Sequence, residues 1–302
     1  MNRTGMDSET EAAPDLLAPV PAISRPAPDS HPVPCAGFLL RWLTYLLLLP
    51  LGAIATAAFG SVAMVASLFD GSGRLQHSIA RLWGGVLLRI AMSPVKMIGS
   101  EELANMPPSV YVVNHLSYMD TPVLFGKLPF QFRILARHDL FKLPFIGWYL
   151  HRSGQVPVDS SSLRSSLASL NRGVRILQGG MPLVVFPEGG RSADGSLQPF
   201  LSGPAFMAIR AGVPVVPMAL IGTYEVMPMH TYHLRPRPLT LVIGQPISTS
   251  EYTSKMADVL TQRLHDTITE MSLRYANADS GNDELRPSGP SRADAGISRP
   301  TE

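Results

Sequence analysis

The sequence predicts an α/β fold: a mixed, largely parallel sheet flanked by helices, preceded by an N-terminal membrane-embedded helical segment. Three observations carry that expectation. From Trp42 to Phe69 the chain has no charged residue, a run longer than the ~20 apolar residues a bilayer-spanning helix needs. From about Val95 onward, short apolar segments alternate with amphipathic helical ones, as they do where parallel strands are joined by helices. The chain has 302 residues, 45% hydrophobic and only 16% charged. That suffices for one large domain with appendages, and it is apolar enough to suggest membrane contact.

The same composition excludes other classes. A formal net charge of +2 is too small to argue for nucleic acid. The single cysteine, Cys35, permits neither a disulfide framework nor a cysteine metal site. The eight histidines show no ligand spacing such as His-Glu-x-x-His, so no metal is expected.

Taken in order, residues 1–34 are rich in Pro, Ala and Ser without apolar periodicity and read as a disordered tail. They do not read as a secretory signal, because the apolar run starts late and its leading segment is not basic. Residues 35–97 hold the membrane helix and a second, amphipathic helix. Pro50 and Gly52 interrupt the first, which reads as one kinked span or as a re-entrant hairpin. Trp42 and Tyr45 suit interfacial anchors, and the cations Arg74, Arg81, Arg89 and Lys96 after the run outnumber Arg25 and Arg41 before it. That bias places the following domain on the cytoplasmic side of an inner membrane. Within Leu75–Met92, Leu75, Ile79, Leu82, Trp83, Val86, Leu87 and Ile90 recur at helical spacing, with Arg81 and Arg89 among them and Arg74 just before. Such a helix suits a membrane surface or an ordinary docking face equally.

The α/β domain spans 98–276. Its candidate strands are Val110–Val113, Leu183–Phe186, Val215–Leu220 and Leu239–Ile243, with helices at Leu163–Leu177 and Pro204–Arg210. A last helix over Thr253–Tyr275 puts Met256, Val259, Leu260, Leu264, Ile268 and Met271 on one face. Residues 277–302 are polar, with Pro and Gly, and read as a second disordered tail. Between Lys127 and Arg164, the cations Arg133, Arg137, Lys142 and Arg152 interleave with Phe130, Phe132, Phe141, Phe145, Trp148 and Tyr149. This is either a face for anionic lipid or an aromatic core stripe with solvated charges.

Two stretches carry chemistry. Asn114-His115-Leu116-Ser117-Tyr118-Met119-Asp120 directly follows the strand Val110–Val113. A carboxylate that holds one imidazole nitrogen fixes the tautomer and leaves the other free to take a proton. With a hydroxyl supplied by a substrate, His115 and Asp120 would form a base for acyl transfer to an alcohol; the pair alone also fits a surface ion pair. Phe186-Pro187-Glu188-Gly189-Gly190-Arg191-Ser192 follows the strand at Leu183. Its glycines permit a sharp turn close to a ligand, and Arg191 offers a fork suited to phosphate or carboxylate. Glu188 would hold Arg191 or bond a substrate hydroxyl. Asp194-Gly195 reads as a turn.

Together these blocks, with Phe141-Lys142-Leu143-Pro144-Phe145-Ile146-Gly147-Trp148, Val156-Pro157-Val158-Asp159 and Val213-Pro214-Val215-Val216-Pro217, resemble the glycerolipid acyltransferase family. The likeness covers about Ile98 to Pro246 and is strongest to the 1-acyl-glycerol-3-phosphate (lysophosphatidate) acyltransferases. It implies a membrane-bound enzyme that moves a fatty acyl group from acyl-CoA or acyl-carrier protein to a lysophospholipid hydroxyl, giving phosphatidate. His115 would be the general base and Asp120 its orienting partner, with no covalent intermediate, metal or bound cofactor. Asn114, Glu188, Gly189, Gly190 and Arg191 would shape the acceptor site, and Pro214, Val215 and Pro217 would pack beside the acyl donor.

Three positions depart from the family pattern, the mildest being Gly190, where Thr is more frequent. Val158-Asp159-Ser160 stands where Val-Asp-Arg is usual, and Phe200-Leu201-Ser202-Gly203 where Phe-Lys-x-Gly is frequent. Both missing cations are ones the family directs at the acceptor phosphate; Arg164 is a replacement candidate for the first. The departures also admit a phosphate-free acceptor, such as a lyso-ornithine lipid, or a non-catalytic lipid-binding homologue. A lipase-type hydrolase is disfavoured, because there is no Gly-x-Ser-x-Gly elbow.

Overall fold

The computed structural model describes residues 36–279 apart from 105, 144–145, 160 and 230. The expected tail over 1–34, Ser160, Pro144, Phe145 and residues 280–302 lie outside the described residues.

The uncharged run forms one helix, not a hairpin. Helix α1 (Ala36–Leu43) passes through a π-helical turn (Thr44–Leu48) into α2 (Leu49–Ala66). Pro50 explains the wide turn: it has no N–H to give back along the helix, and its ring crowds the preceding carbonyls. The stretch Phe38–Ala66 is long and apolar enough to cross a membrane, with 11% of its apolar window buried. One flank docks: Thr44 and Leu48 are buried, and the Thr44 hydroxyl, which donates to Leu40 O at 2.7 Å, lies 3.3 Å from Leu234 O. The other flank exposes Phe38, Leu39, Leu46, Leu47 and Ile54.

Helix α3 (Arg74–Ile90) turns back along α2, where Trp83 Nε1 donates to Thr56 Oγ1 at 3.1 Å. The face it buries is not the stripe of large apolar residues. Gln76, His77, Ala80, Gly84 and Leu88 point inward, while Leu75 and Leu82 are exposed. The reason lies in α4 (Asp120–Lys127). A Cβ on Gly84 would come within 2.6 Å of Pro122 O and 2.8 Å of Gly126 N, so only glycine lets the two helix backbones approach this closely.

The described residues form a seven-stranded sheet in the order β1-β7-β6-β2-β5-β3-β4. The strands are β1 (Val95–Ile98), β2 (Val110–Val113), β3 (Arg133–Arg137), β4 (Val156–Val158), β5 (Leu183–Val185), β6 (Val215–Ile221) and β7 (Leu239–Ile243). All pairings are parallel except β6 with β7. The four strands predicted from sequence all form. The three others, β1, β3 and β4, lie at or next to the sheet edges and carry Lys96, Arg133, Arg137 or Pro157, which breaks the apolar signal.

Helices cover both faces. Tyr111, Val113, Val184 and Val216 pack with Val123, Leu124 and Phe125 of α4. Val110, Val112, Leu183 and Val185 pack with Leu170 and Val174 of α6 (Leu163–Gln178), Met207 of α7 (Gly203–Ala211) and, past the single turn α8 (Thr223–Val226), Leu260, Leu264 and Ile268 of α9 (Ala257–Asp279). Helix α9 extends past residue 277, and it leaves Met256 before it and Val259 exposed, unlike the expected stripe.

The aromatic and basic stretch is divided. Phe132, Phe141 and Arg133 are buried, whereas Trp148 on α5 (Ile146–Arg152), Arg137 and Lys142 face outward. Arg133 donates to Ser72 O at 2.8 Å, and Arg152 to Ser67 O, so these cations tie the end of the α2–α3 hairpin to the domain. Strands β2, β5, β3 and β4 end along one edge of the sheet, the usual place for a ligand in such folds.

Candidate active site

The site starts where β2 stops. Asn114 extends the ladder by side chain: its Nδ2 donates to Leu220 O at 2.9 Å, and its Oδ1 accepts from Leu220 N at 2.7 Å. His115 is thereby held at the rim of β2 and stacks on Phe186, with ring centroids 3.9 Å apart and 19° between planes. Asp120 opens α4, where the helix N-terminus favours a negative charge. Its Oδ2 takes three donors: His115 Nδ1 at 2.8 Å, Leu116 N at 2.7 Å and Ser117 N at 2.8 Å. A carboxylate oxygen already receiving two backbone N–H groups acts as acceptor, so Nδ1 carries the proton. Nε2 then presents its lone pair, and with 19% of the side chain exposed it is reachable by a substrate.

Glu188 does something the sequence did not suggest. It neither pairs with Arg191 nor stands open to a ligand. Oε1 accepts from His115 N at 2.5 Å and Oε2 from Gln198 N at 2.7 Å, so the carboxylate ties the backbone of the candidate base to the loop after β5. The residue is half-buried, but this enclosed carboxylate is pushed up to about 8. Burial is the main cause, the two N–H bonds oppose it, and Asp120 adds to the rise.

Arg191 lies over Tyr118, its guanidinium carbon 3.5 Å from the ring centroid. The loop carrying it is pinned beside the base, where Ser192 N donates to His115 O at 2.9 Å. The expected turn at Asp194-Gly195 forms. Asp194 Oδ1 accepts from Ser192 Oγ, Ser196 N and Ser196 Oγ, and Gly195 adopts φ +81° against the Tyr224 ring. Tyr224 in turn donates to Ala193 O at 3.1 Å. Gly189, at φ +70°, and Gly190 form the exposed start of the loop. Gln198 and Tyr224 had no sequence signal as site residues, whereas Phe186 opens the block read as chemistry-bearing, without its ring having been given a role. Tyr118 lies between His115 and Asp120 and was open to notice.

The other expected residues are dispersed. Arg164 is exposed in the first turn of α6. It shares the sheet edge but follows β4, three strands from β2, a separation of about 14 Å at the usual strand spacing. No bond among the described residues joins it to the His115 cluster. Leu201, where the family has a cation, packs towards Gly189. Pro214, Val215 and Pro217 do not reach the site. Val215 pairs with Val110 at the opposite end of β2, and Pro217 with Val112 in mid-sheet, so Val215 lies about 17 Å from His115 at ~3.3 Å per residue and ~4.8 Å between strands. These residues build the sheet.

The fold and this cluster fit acyl transfer to a hydroxyl, and comparisons with known proteins give the family. The family model described as "Acyltransferase" matches residues 94–221. A 1-acyl-sn-glycerol-3-phosphate acyltransferase of Chlamydomonas reinhardtii is 31% identical over 277 residues, covering 86% of this chain and 80% of that protein. The chain therefore belongs to the acyltransferase family whose members include the 1-acyl-sn-glycerol-3-phosphate acyltransferases. A chloroplastic member from Arabidopsis thaliana is 35% identical over 209 residues, 67% of this chain and 56% of that protein. The chain thus spans little more than half the length of that plant relative. The crystal structure of the 1-acyl-sn-glycerophosphate acyltransferase from Thermotoga maritima shares the fold, with a TM-score of 0.63 and 23% identity over 79% of this chain and 97% of that one.

Proposed function

We propose that this chain is a membrane-bound O-acyltransferase that converts 1-acyl-glycerol-3-phosphate to phosphatidate, using acyl-CoA or acyl-carrier protein as thioester donor. The observation that carries the reading is the His115–Asp120 pair, bonded at 2.8 Å on the ligand-binding edge of the sheet, with Nε2 free of protein partners among the described residues.

In this mechanism the acceptor hydroxyl gives its proton to His115 Nε2 as its oxygen attacks the thioester carbonyl. Asp120 stabilises the imidazolium that forms. Collapse of the tetrahedral intermediate breaks the carbon–sulfur bond, and the thiolate takes the proton back from Nε2. The products are the new ester and the free thiol. Arg191 faces the acceptor phosphate. The apolar helix Phe38–Ala66 keeps the site at the lipid surface, with the domain on the cytoplasmic side.

Leu201 in the place of a family cation supports a second reading, a phosphate-free lysolipid acceptor. Purified wild type and His115→Ala in detergent, given labelled oleoyl-CoA and lysophosphatidate, test both readings. Phosphatidate from wild type and none from the variant is the expected result. Acylation of a lyso-ornithine lipid but not of lysophosphatidate would move the assignment to the second reading.

A further inference from the structure

We propose that Tyr118 is a positioning residue for Arg191, and that this stacked pair sets the preference for acceptors with an anionic headgroup. The inference rests on the acyltransferase reading above and adds a specificity residue to it.

The guanidinium carbon lies 3.5 Å from the Tyr118 ring centroid, well inside the ~6 Å reach of a cation–π contact. The way Arg191 is held matters as much as the distance. A carboxylate partner would consume two of its N–H donors and neutralise its charge. The carboxylates nearest in sequence are committed elsewhere: Glu188 to the N–H groups of His115 and Gln198, and Asp194 to Ser192 and Ser196. Among the described residues no protein acceptor takes an Arg191 donor. An aromatic face orients a guanidinium while leaving its edge and its charge available, which is what a site for an incoming phosphate monoester requires.

Position links this cation to the base. Tyr118 belongs to the same turn whose Leu116 and Ser117 N–H groups grip Asp120. The turn is anchored in turn by Ser117 Oγ donating to Met227 O at 2.8 Å. From the other side, the residue after Arg191 is bonded to His115 O. Backbone and head of Arg191 are therefore both referenced to the base, so the stack fixes where a bound phosphate sits relative to Nε2.

The test uses the full-length enzyme in detergent with labelled oleoyl-CoA, comparing wild type, Tyr118→Phe and Tyr118→Leu. Tyr118→Leu is expected to raise KM for lysophosphatidate about tenfold, the scale of a partly desolvated cation–π contact. Its kcat and its KM for oleoyl-CoA should stay within twofold, and Tyr118→Phe, which keeps the ring, should match wild type. An unchanged lysophosphatidate KM in Tyr118→Leu overturns the inference while leaving the acyltransferase reading intact. So does equal damage from Tyr118→Phe, which would assign the effect to the hydroxyl. So does a loss confined to kcat, which would assign it to the turn around Asp120. Wild type that acylates only phosphate-free acceptors overturns both this inference and the lysophosphatidate reading.

Discussion

Replacing Asp120 with Asn removes the charge of the dyad and little of its shape. The three donors on Oδ2 fix how the new amide must sit. Its carbonyl oxygen takes the Oδ2 position, because an NH2 group there would face three N–H groups. The NH2 group then takes the place of Oδ1, which is buried without a hydrogen-bond partner, at a stability cost of about 1–3 kcal/mol. Ground-state geometry survives, but under the proposed mechanism the imidazolium formed during proton transfer loses its counter-charge. Two unit charges about 4 Å apart at an effective dielectric of about 20 interact by about 4 kcal/mol, and each ~1.4 kcal/mol of lost transition-state stabilisation is a factor of ten in rate. Asp120→Asn should therefore lower kcat about a thousandfold with KM for both substrates nearly unchanged. Initial rates with labelled oleoyl-CoA and lysophosphatidate, alongside circular dichroism, provide the check. A folded variant with kcat within tenfold of wild type would refute the assignment of Asp120 as partner of a general base.

Glu188→Gln leaves one oxygen for two backbone donors, so kcat should fall about tenfold or more while KM for the acceptor holds; a rise in KM alone would show that Glu188 touches the acceptor. The same residue predicts a pH dependence. Its carboxyl is held at about 8 in the folded protein against an ordinary 4.5, so between those values the unfolded chain has released a proton that the folded one keeps. This contribution to stability is full below about 4.5 and is lost as pH rises through about 8, with a slope of at most about 1.4 kcal/mol per unit; denaturant titrations at several pH values should show Glu188→Gln without it. His77 acts in the opposite sense, because burial first, against the bond to Phe130 O and with Arg133 and Arg81 adding to the drop, lowers it from 6.5 to about 4. Its contribution is lost as pH falls from about 6.5 to about 4, and His77→Phe should remove that acid-side loss in the same titrations. Gly84→Val would drive a side chain into Pro122 O and Gly126 N, and the strain of overpacking, about 1–3 kcal/mol, should appear as a lower unfolding midpoint in detergent.

The candidate site was legible in the sequence because short local blocks carry it. His115 and Asp120 stand five positions apart and the turn between them is local, so their bond was foreseeable once β2 was recognised. The apolar central strands were equally plain, since strands covered on both faces show uninterrupted runs of Val, Leu and Ile. The helix at Phe38–Ala66 announced itself by its length without charge.

What the sequence left open concerns partners that are distant along the chain. Glu188 meets the His115 backbone across 73 positions, and no local pattern says that its oxygens are taken by N–H groups instead of by Arg191. Pro214 and Val215 belong to a motif block, but the parallel register of β6 with β2 puts Val215 at the end of β2 away from His115. The docking face of α3 was not legible in the sequence, because hydrophobic size marks what leaves water, whereas the Gly84–Gly126 approach depends on the absence of side chains. Residue types and local spacing thus determined the fold class, the dyad and the apolar helix. Strand order, register and close backbone contact, which arise only when remote segments pack together, decided which of the candidate residues share one site.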